Sequence, residues 1–517
     1  MGSPQDDLAL SVENEDGCES FTELSLDDVN EENDYYANQP GDAISNKANK
    51  RKNRKGIAVV LMISGILAII FAIGAIKASK DMSMRGKSTN DKYTPGDERD
   101  PKLLDPLQPN DEPKDPNYIN PTTTSAPKSS PASSIDLWNF LATTLHQEAL
   151  LEESSIYYDA FKWLEGDEKL STYDENQIKQ RYVFACLYMA TNLDDNWSRS
   201  DRWMSSDDEC AWFGIFCDVE GRVLELNLTD NGLVGTVPQQ MAFLSDSLLT
   251  LELHKNNVVN NDEELAWLGQ LTNLLAMDIR ETEFSFSGIP HYLSHLTSIR
   301  VLEIASTGFS GAIDGSIFEP MKDLVYLDMG GNLYNSTLPM EIARLPALEA
   351  LYLDNTNLYG NIGFISEMNS PYEIWLDNNP NLAGSIPTEI GKLSGLASLS
   401  ITNCGIIGTL PSELGNLAEM QQMWLSGNYI IGSVPSEIGS LKKLRIFQTE
   451  DNYISGDMPS DVCDLFGADN LTGLIALGAD CEPPGEVRCT CCTCCSAPCE
   501  VVNIPTDRRK LHQIMDH

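Results

Sequence analysis

Two groups of residues in this 517-residue chain have types and spacings that invite chemistry. His291 and His295 stand four apart, the spacing at which two imidazoles on one helical turn can hold a metal ion. No acid completes a set around them, so both are expected to be surface residues. The second group is Cys489-Thr-Cys491-Cys492-Thr-Cys494-Cys495, with Cys499 close behind. Such tight steps suit a thiolate metal cluster in a reducing compartment, or disulfides in an oxidising one. Of 13 cysteines only Cys18 precedes the long apolar run at 57–76, and the other twelve follow it, which favours disulfides. Cys463 and Cys481 are expected to join that set, with Cys186 and Cys404 as buried free thiols. No nucleophile elbow, phosphate loop or kinase signature occurs. No enzymatic activity, catalytic residue, cofactor or bound metal is therefore expected. A net charge of −42 and a pI near 4.3 argue against a nucleic-acid partner, because phosphate recognition needs extended Lys/Arg patches.

Residues that could bind rather than catalyse sit inside a repeat of 23 to 26 residues between 222 and 460. Its frame is Leu-x-Leu-x-x-Asn, as in Leu226/Leu228/Asn231 and Leu251/Leu253/Asn256, with Thr282, Thr307, Thr356 or Cys404 replacing the asparagine in some copies. Period-2 alternation sends both leucines to one side of a short strand and the residue between them to the other. No turn buries its own leucines, so turns must stack, each buried aliphatic side chain being worth about 1.5–3 kcal/mol. The asparagine amide is expected to satisfy backbone groups that stacking strands away from water. Ten strands at about 4.8 Å give a parallel sheet about 43 Å across. The outward column reads Asn227, Glu252, Asp278, Glu303, Asp328, Tyr352, Trp375, Ser400, Trp424, Gln448. Its first half is an acidic ladder, whose mutual repulsion a cationic or metal-bridged ligand would relieve. Its second half exposes large aromatics, which are costly unless covered. Asp328, Tyr352, Trp375 and Trp424, flanked by Tyr326, Asp354 and Asp377, form the candidate ligand-binding patch. Aromatic anchors beside acids suit a basic peptide or a stacked sugar.

This pattern resembles the leucine-rich repeat solenoid, an α/β fold with a concave parallel sheet. The segments Gly384–Leu393 and Gly432–Leu441, with their Gly-x-hydrophobic-Pro step, resemble the plant-type subfamily. Upstream, Trp197, Trp203 and Cys210-Ala-Trp-Phe-Gly-Ile-Phe-Cys217 resemble the N-terminal cap of plant receptor ectodomains, which implies a Cys210–Cys217 disulfide. With Gln177, Arg181 and Tyr182 and the downstream double cysteines, the span 155–499 is similar to leucine-rich repeat surface proteins of diatoms and related algae. The implied fold is a right-handed solenoid of about ten repeats with a helical cap before it and a Cys-rich cap after it.

The rest of the chain is read for topology. Residues 1–55 form an acidic, disordered tail that ends in a basic cluster. Residues 56–76 are a transmembrane signal-anchor helix, twenty apolar residues spanning about 30 Å. The cluster on its N-terminal side places the tail in the cytosol and the remainder outside the plasma membrane, a single-pass type II arrangement. Residues 77–134 are a Pro/Ser/Thr-rich stalk, 135–221 the helical cap, 222–460 the solenoid, 461–499 the Cys-rich cap and 500–517 a tail. Helices are predicted from Ser134 through Leu145, from Tyr157 to Leu164, and after Asp174 to Met189, covering the open end of the first turn. Asn196, Asn227, Asn335 and Asn470 head glycosylation sequons, and Asn227 lies on the repeat face itself. Together these readings predict a receptor-like surface protein that binds an extracellular peptide, glycan or protein and signals through a co-receptor or cytosolic adaptor. A cell-wall adhesin and an inhibitor of secreted hydrolases are the alternatives.

Overall fold

The structure, a computed structural model, describes residues 137–141, 155–286, 288–466, 473–481 and 487–493. Residues 1–136, including the predicted tail, membrane span and stalk, lie outside the described residues, as do Asn470, Cys494, Cys495 and Cys499. Among the described residues no helix is long and apolar enough to cross a membrane.

One sheet of twelve strands runs through the described region. The strands are β1 (Ile215–Cys217), β2 (Val223–Asn227), β3 (Thr250–Glu252), β4 (Ala276–Asp278), β5 (Val301–Glu303) and β6 (Tyr326–Asp328). They continue as β7 (Ala350–Tyr352), β8 (Glu373–Trp375), β9 (Ser398–Ser400), β10 (Gln422–Trp424), β11 (Ile446–Gln448) and β12 (Ala476–Gly478). Strands β2 to β11 are the ten predicted frames, stacked parallel and in register, so that Leu351 lies against both Leu327 and Ile374. The expectation of ten strands is corrected to twelve. Strand β1 joins antiparallel to β2, and β12 extends the sheet into the region expected to be cap alone. Between the large strands, short second strands and one-turn helices close each coil. Pro387, Pro411 and Pro435 stand directly before three of these turns, where a fixed φ and a missing N–H cost nothing.

The frame asparagines act as expected. The Asn332 side chain accepts from the N–H groups of Thr307 and Phe309 (3.2 and 3.1 Å) and donates to the carbonyls of Ile304 and Met329 (2.8 and 3.0 Å). Asn256, Asn379, Asn428 and Asn452 reach between coils in the same way. Where threonine replaces asparagine, the hydroxyl of Thr282, Thr307 or Thr356 donates to the carbonyl three residues back in its own coil, and that of Thr356 also lies 3.0 Å from Asn379 Oδ1 of the next coil. The residue before each of these positions turns the chain inward with φ between 50° and 57° at Asp230, Lys255, Glu281, Ser306, Asn355, Asn378, Asn403 and Asp451. Gly331 and Gly427 hold the equivalent place in two coils, where left-handed backbone suits glycine best.

The N-terminal end is covered by α1 (Ile156–Glu165) and α2 (Glu175–Thr191), the latter opened by a capping box between Asp174 and Gln177. Val183, Phe184 and Leu187 of α2 belong to the same core as the repeat leucines. Arg181 is fully buried, paired to Asp167 (2.8 Å) and Glu209 (3.4 Å) and enclosed by the rings of Trp163, Tyr173 and Trp212. Cys210 and Cys217 are bonded. At the other end Cys463–Cys491 and Cys489–Cys492 are disulfides, and Cys481 is also disulfide-bonded. Cys186 and Cys404 are buried free thiols, each pushed up to about 12 by burial.

Candidate functional site

In each strand from β3 to β12 the central apolar side chain enters the core, as Leu226 does in β2, and its neighbours project on the opposite side, the strand face. Register therefore lines Asn227, Glu252, Asp278, Glu303, Asp328, Tyr352, Trp375, Ser400, Trp424 and Gln448 into one column, as predicted. The residue two positions further on lies beside that column at the strand exit. There the sequence places His254, Arg280, Asp354, Asp377, Thr402 and Glu450.

On the acidic half part of the repulsion expected among the carboxylates is answered from within the chain. Arg280 grips Asp278 with two parallel bonds (2.9 Å each), reaches Glu303 at 2.6 Å and lies 3.8 Å from Asp328. His254 Nδ1 stands 2.8 Å from Asp278. Burial alone would raise the Asp278 pKa, but the bonds from His254 and Arg280 outweigh it and hold the carboxyl below its ordinary range. The same carboxylates raise the Arg280 pKa against its own desolvation. Asn227 donates to Glu252 at 2.5 Å, so a glycan on Asn227 would have to displace that bond. Asn196 and Asn335, by contrast, are exposed.

On the other half the rings pack on one another. Tyr326 and Tyr352 have centroids 5.1 Å apart, Tyr352 and Trp375 5.7 Å, and Trp375 and Trp424 5.6 Å across the small Ser400. The expectation of large aromatics standing in water is corrected accordingly. Tyr352 is 1% exposed and Asp328 0% exposed, whereas Tyr326, Trp375 and Trp424 are half-buried. Trp375 Nε1 donates to Ser398 Oγ (3.0 Å), and the Tyr352 hydroxyl donates to Glu373. Asp377 accepts from Ser400 Oγ (2.7 Å), Thr402 N–H (2.6 Å) and Thr402 Oγ1 (2.9 Å). Burial raises its pKa in spite of those bonds, and the neighbouring charge of Asp354 adds to the rise. Glu450, held by Ser426 Oγ at 2.7 Å, is raised by burial as well.

The patch predicted from sequence is thus gathered on one face, with Asp328 and Tyr352 as its floor and Trp375, Trp424, Tyr326, Asp354 and Asp377 as its accessible part. Sequence reasoning missed Arg280, His254, Glu373 and Gln422. The signal was present for the first two, which occupy the same frame position as Asp354 and Asp377. His291 and His295 are exposed on a one-turn helix away from this face. Among the described residues no group of three or more His, Cys, Asp or Glu could hold a metal ion.

The repeat is a leucine-rich repeat: the Leucine Rich Repeat family model matches residues 395–417. The relatives are plant receptor-like proteins and kinases. The Receptor-like protein kinase HAIKU2 of Arabidopsis thaliana is 28% identical over 197 residues, which make up 36% of this chain and 19% of that protein. Receptor-like protein 41 of Arabidopsis thaliana is 29% identical over 205 residues, 34% of this chain and 23% of that protein. The chain therefore spans about a fifth of the length of these relatives. With the kinases among them it shares the leucine-rich repeat part. Among solved structures, the Arabidopsis receptor kinase HAESA in complex with the peptide hormone IDA and the co-receptor SERK1 is similar. It is 26% identical and covers 50% of this chain and 44% of its own, at a TM-score of 0.46.

Proposed function

We propose that this chain is a cell-surface recognition protein of the receptor-like kind, binding an extracellular peptide or protein through the aromatic half of its strand face. The observation that carries this reading is the unbroken run of rings from Tyr326 to Trp424, set beside Asp354 and Asp377, on a face the core does not need. Half-buried tryptophans bordered by carboxylates are the composition of a binding centre, where rigid rings supply contact area at small entropic cost. The plant relatives named receptor-like proteins support the same class of role. In this proposal residues 56–76 anchor the chain, the repeat region lies outside the plasma membrane with Asn196 and Asn335 glycosylated, and a co-receptor or adaptor carries the signal onward.

The test is crosslinking on intact cells. The full chain and its Trp375→Ala/Trp424→Ala variant are displayed, and captured proteins are identified by mass spectrometry. Loss of ring packing is expected to lower stability by about 1–2 kcal/mol, while the set captured by the wild type disappears. An unchanged set on a folded variant would overturn the assignment of the site.

A further inference from the structure

We propose that the aromatic half of the strand face receives arginine-bearing segments, and that its resident occupant is this chain's own basic run Arg508-Arg509-Lys510. The inference rests on the reading of that face as a ligand surface and adds what fills it before a ligand arrives.

The chemistry of the occupant follows from three features of the face. Gln422 is 7% exposed, yet its Oε1 accepts no hydrogen bond among the described residues. It lies two positions from Trp424 on β10, with Met423 between them entering the core, so Gln422 and Trp424 share the face. A buried acceptor without a donor costs about 1–3 kcal/mol, and an approaching N–H group removes that cost. Asp377 is held by hydroxyls and one backbone N–H, neutral donors that leave its charge to be matched. The half-buried rings of Trp375 and Trp424 complete the set. A guanidinium answers all three at once: five N–H donors, a fixed positive charge and a flat body that stacks on indole.

Charge and reach point to the occupant. In a chain of net charge −42, Arg508 to Lys510 is the one place after residue 55 where three cationic residues are adjacent. The described chain ends at Thr493, which is tied to the edge strand β12: its N–H donates to the Leu477 carbonyl and its Oγ1 accepts from the Leu477 N–H, both at 2.9 Å. From β12 the sheet order puts Trp424 two strands away and Trp375 four, about 10 and 19 Å at the usual strand spacing. The fifteen residues from Thr493 to Arg508 can span at most about 50 Å, and the nine from Cys499 alone about 30 Å. A segment tethered in this way acts at about millimolar effective concentration, so even a contact with a dissociation constant of about 1 mM is half-filled. The tail then sets a threshold that a ligand from outside must exceed.

The probe is a synthetic peptide of residues 504–515, titrated by fluorescence anisotropy against the full chain. The chains compared are the wild type, the triple variant Arg508→Gln/Arg509→Gln/Lys510→Gln, and that triple variant carrying Trp424→Ala or Trp424→Phe. The triple variant is expected to bind the peptide about 2-fold more tightly than the wild type, because a face half-filled by its own tail is vacated. Trp424→Ala should abolish that binding, and Trp424→Phe, which keeps a ring and the packing, should retain most of it. No binding by the triple variant, equal binding by wild type and triple variant, or indifference to Trp424→Ala would each overturn the proposal. If the wild type resists the peptide only at high protein concentration, the tail of a second copy is the occupant and the intramolecular assignment falls. Ligand capture that still depends on Trp375 and Trp424, together with equal peptide binding, would remove the tail from the site and leave the recognition function standing.

Discussion

The strand face has two halves built on the same frame, and they handle buried charge in opposite ways. From β3 to β6 the outward column is acidic, and Arg280 and His254, two residues further along the frame, bond to its central carboxylates. From β6 to β10 the column is largely aromatic, and the neighbouring positions carry acids held by hydroxyls. In the first half the central carboxylates are bonded to a cation of the same chain. The second keeps acidic charge at half-buried positions and rings that are only partly covered. Electrostatic self-sufficiency, rather than the number of acids, separates a structural ladder from a surface able to bind.

Removing the internal cation should break this contrast most severely. Arg280→Met leaves Asp278, Glu303 and Asp328 as neighbouring buried acids, and breaking a buried pair in this way costs about 3–5 kcal/mol. Chemical denaturation should show the midpoint falling at pH 7 and recovering as the pH is lowered, because the uncompensated carboxyls then take up protons. A midpoint that ignores pH would mean that Arg280 does not neutralise them. Tyr352→Phe tests the aromatic half. It keeps the ring and removes the bond to Glu373, with an expected loss of about 1.5–3 kcal/mol, since the acceptor is a buried carboxylate. The smallest effect belongs to Asp377→Asn, about 1 kcal/mol, and its value lies in the pH dependence. Burial raises the Asp377 pKa, so just above the ordinary aspartate value the folded chain holds more protons than the unfolded one. Wild-type stability relative to Asp377→Asn should therefore rise as pH falls through that window. Asp278 has a lowered pKa, and its contribution is present above the ordinary value and lost as pH drops below it. Parallel pH profiles for Asp377→Asn and for the His254→Gln variant of the acidic half would erase the distinction between the two regions.

Most of the scaffold was legible because its signals are local and repeated. Alternating leucines, an inward-turning asparagine and a Gly-x-hydrophobic-Pro step each act within a few residues, and ten copies reinforce one another. The helix after Asp174 was equally clear, since its capping box lies within four residues. Strand β12 was missed because Leu477-Gly478-Ala479 lacks both the second leucine and the asparagine. The role of that asparagine passes to Asp480, which accepts the N–H groups of Asp451 and Asn452 at 2.7 and 2.8 Å. On the face itself, the column was read correctly and its solvation was not. Nothing in one coil tells how far a tryptophan leans on the ring of the next, or that Arg280 spans three strands.

By itself, then, the order of residues determined that coils must stack, which side chains enter the core and which column faces away from it. Those outcomes follow from alternation and from turns, which the backbone enforces over a handful of residues. Tertiary structure decided which acids on that column are paired, which rings are covered and which acceptor, that of Gln422, is left without a donor among the described residues. These are properties of contacts between residues about 25 positions apart, and they exist only once neighbouring coils lie a strand's width from each other.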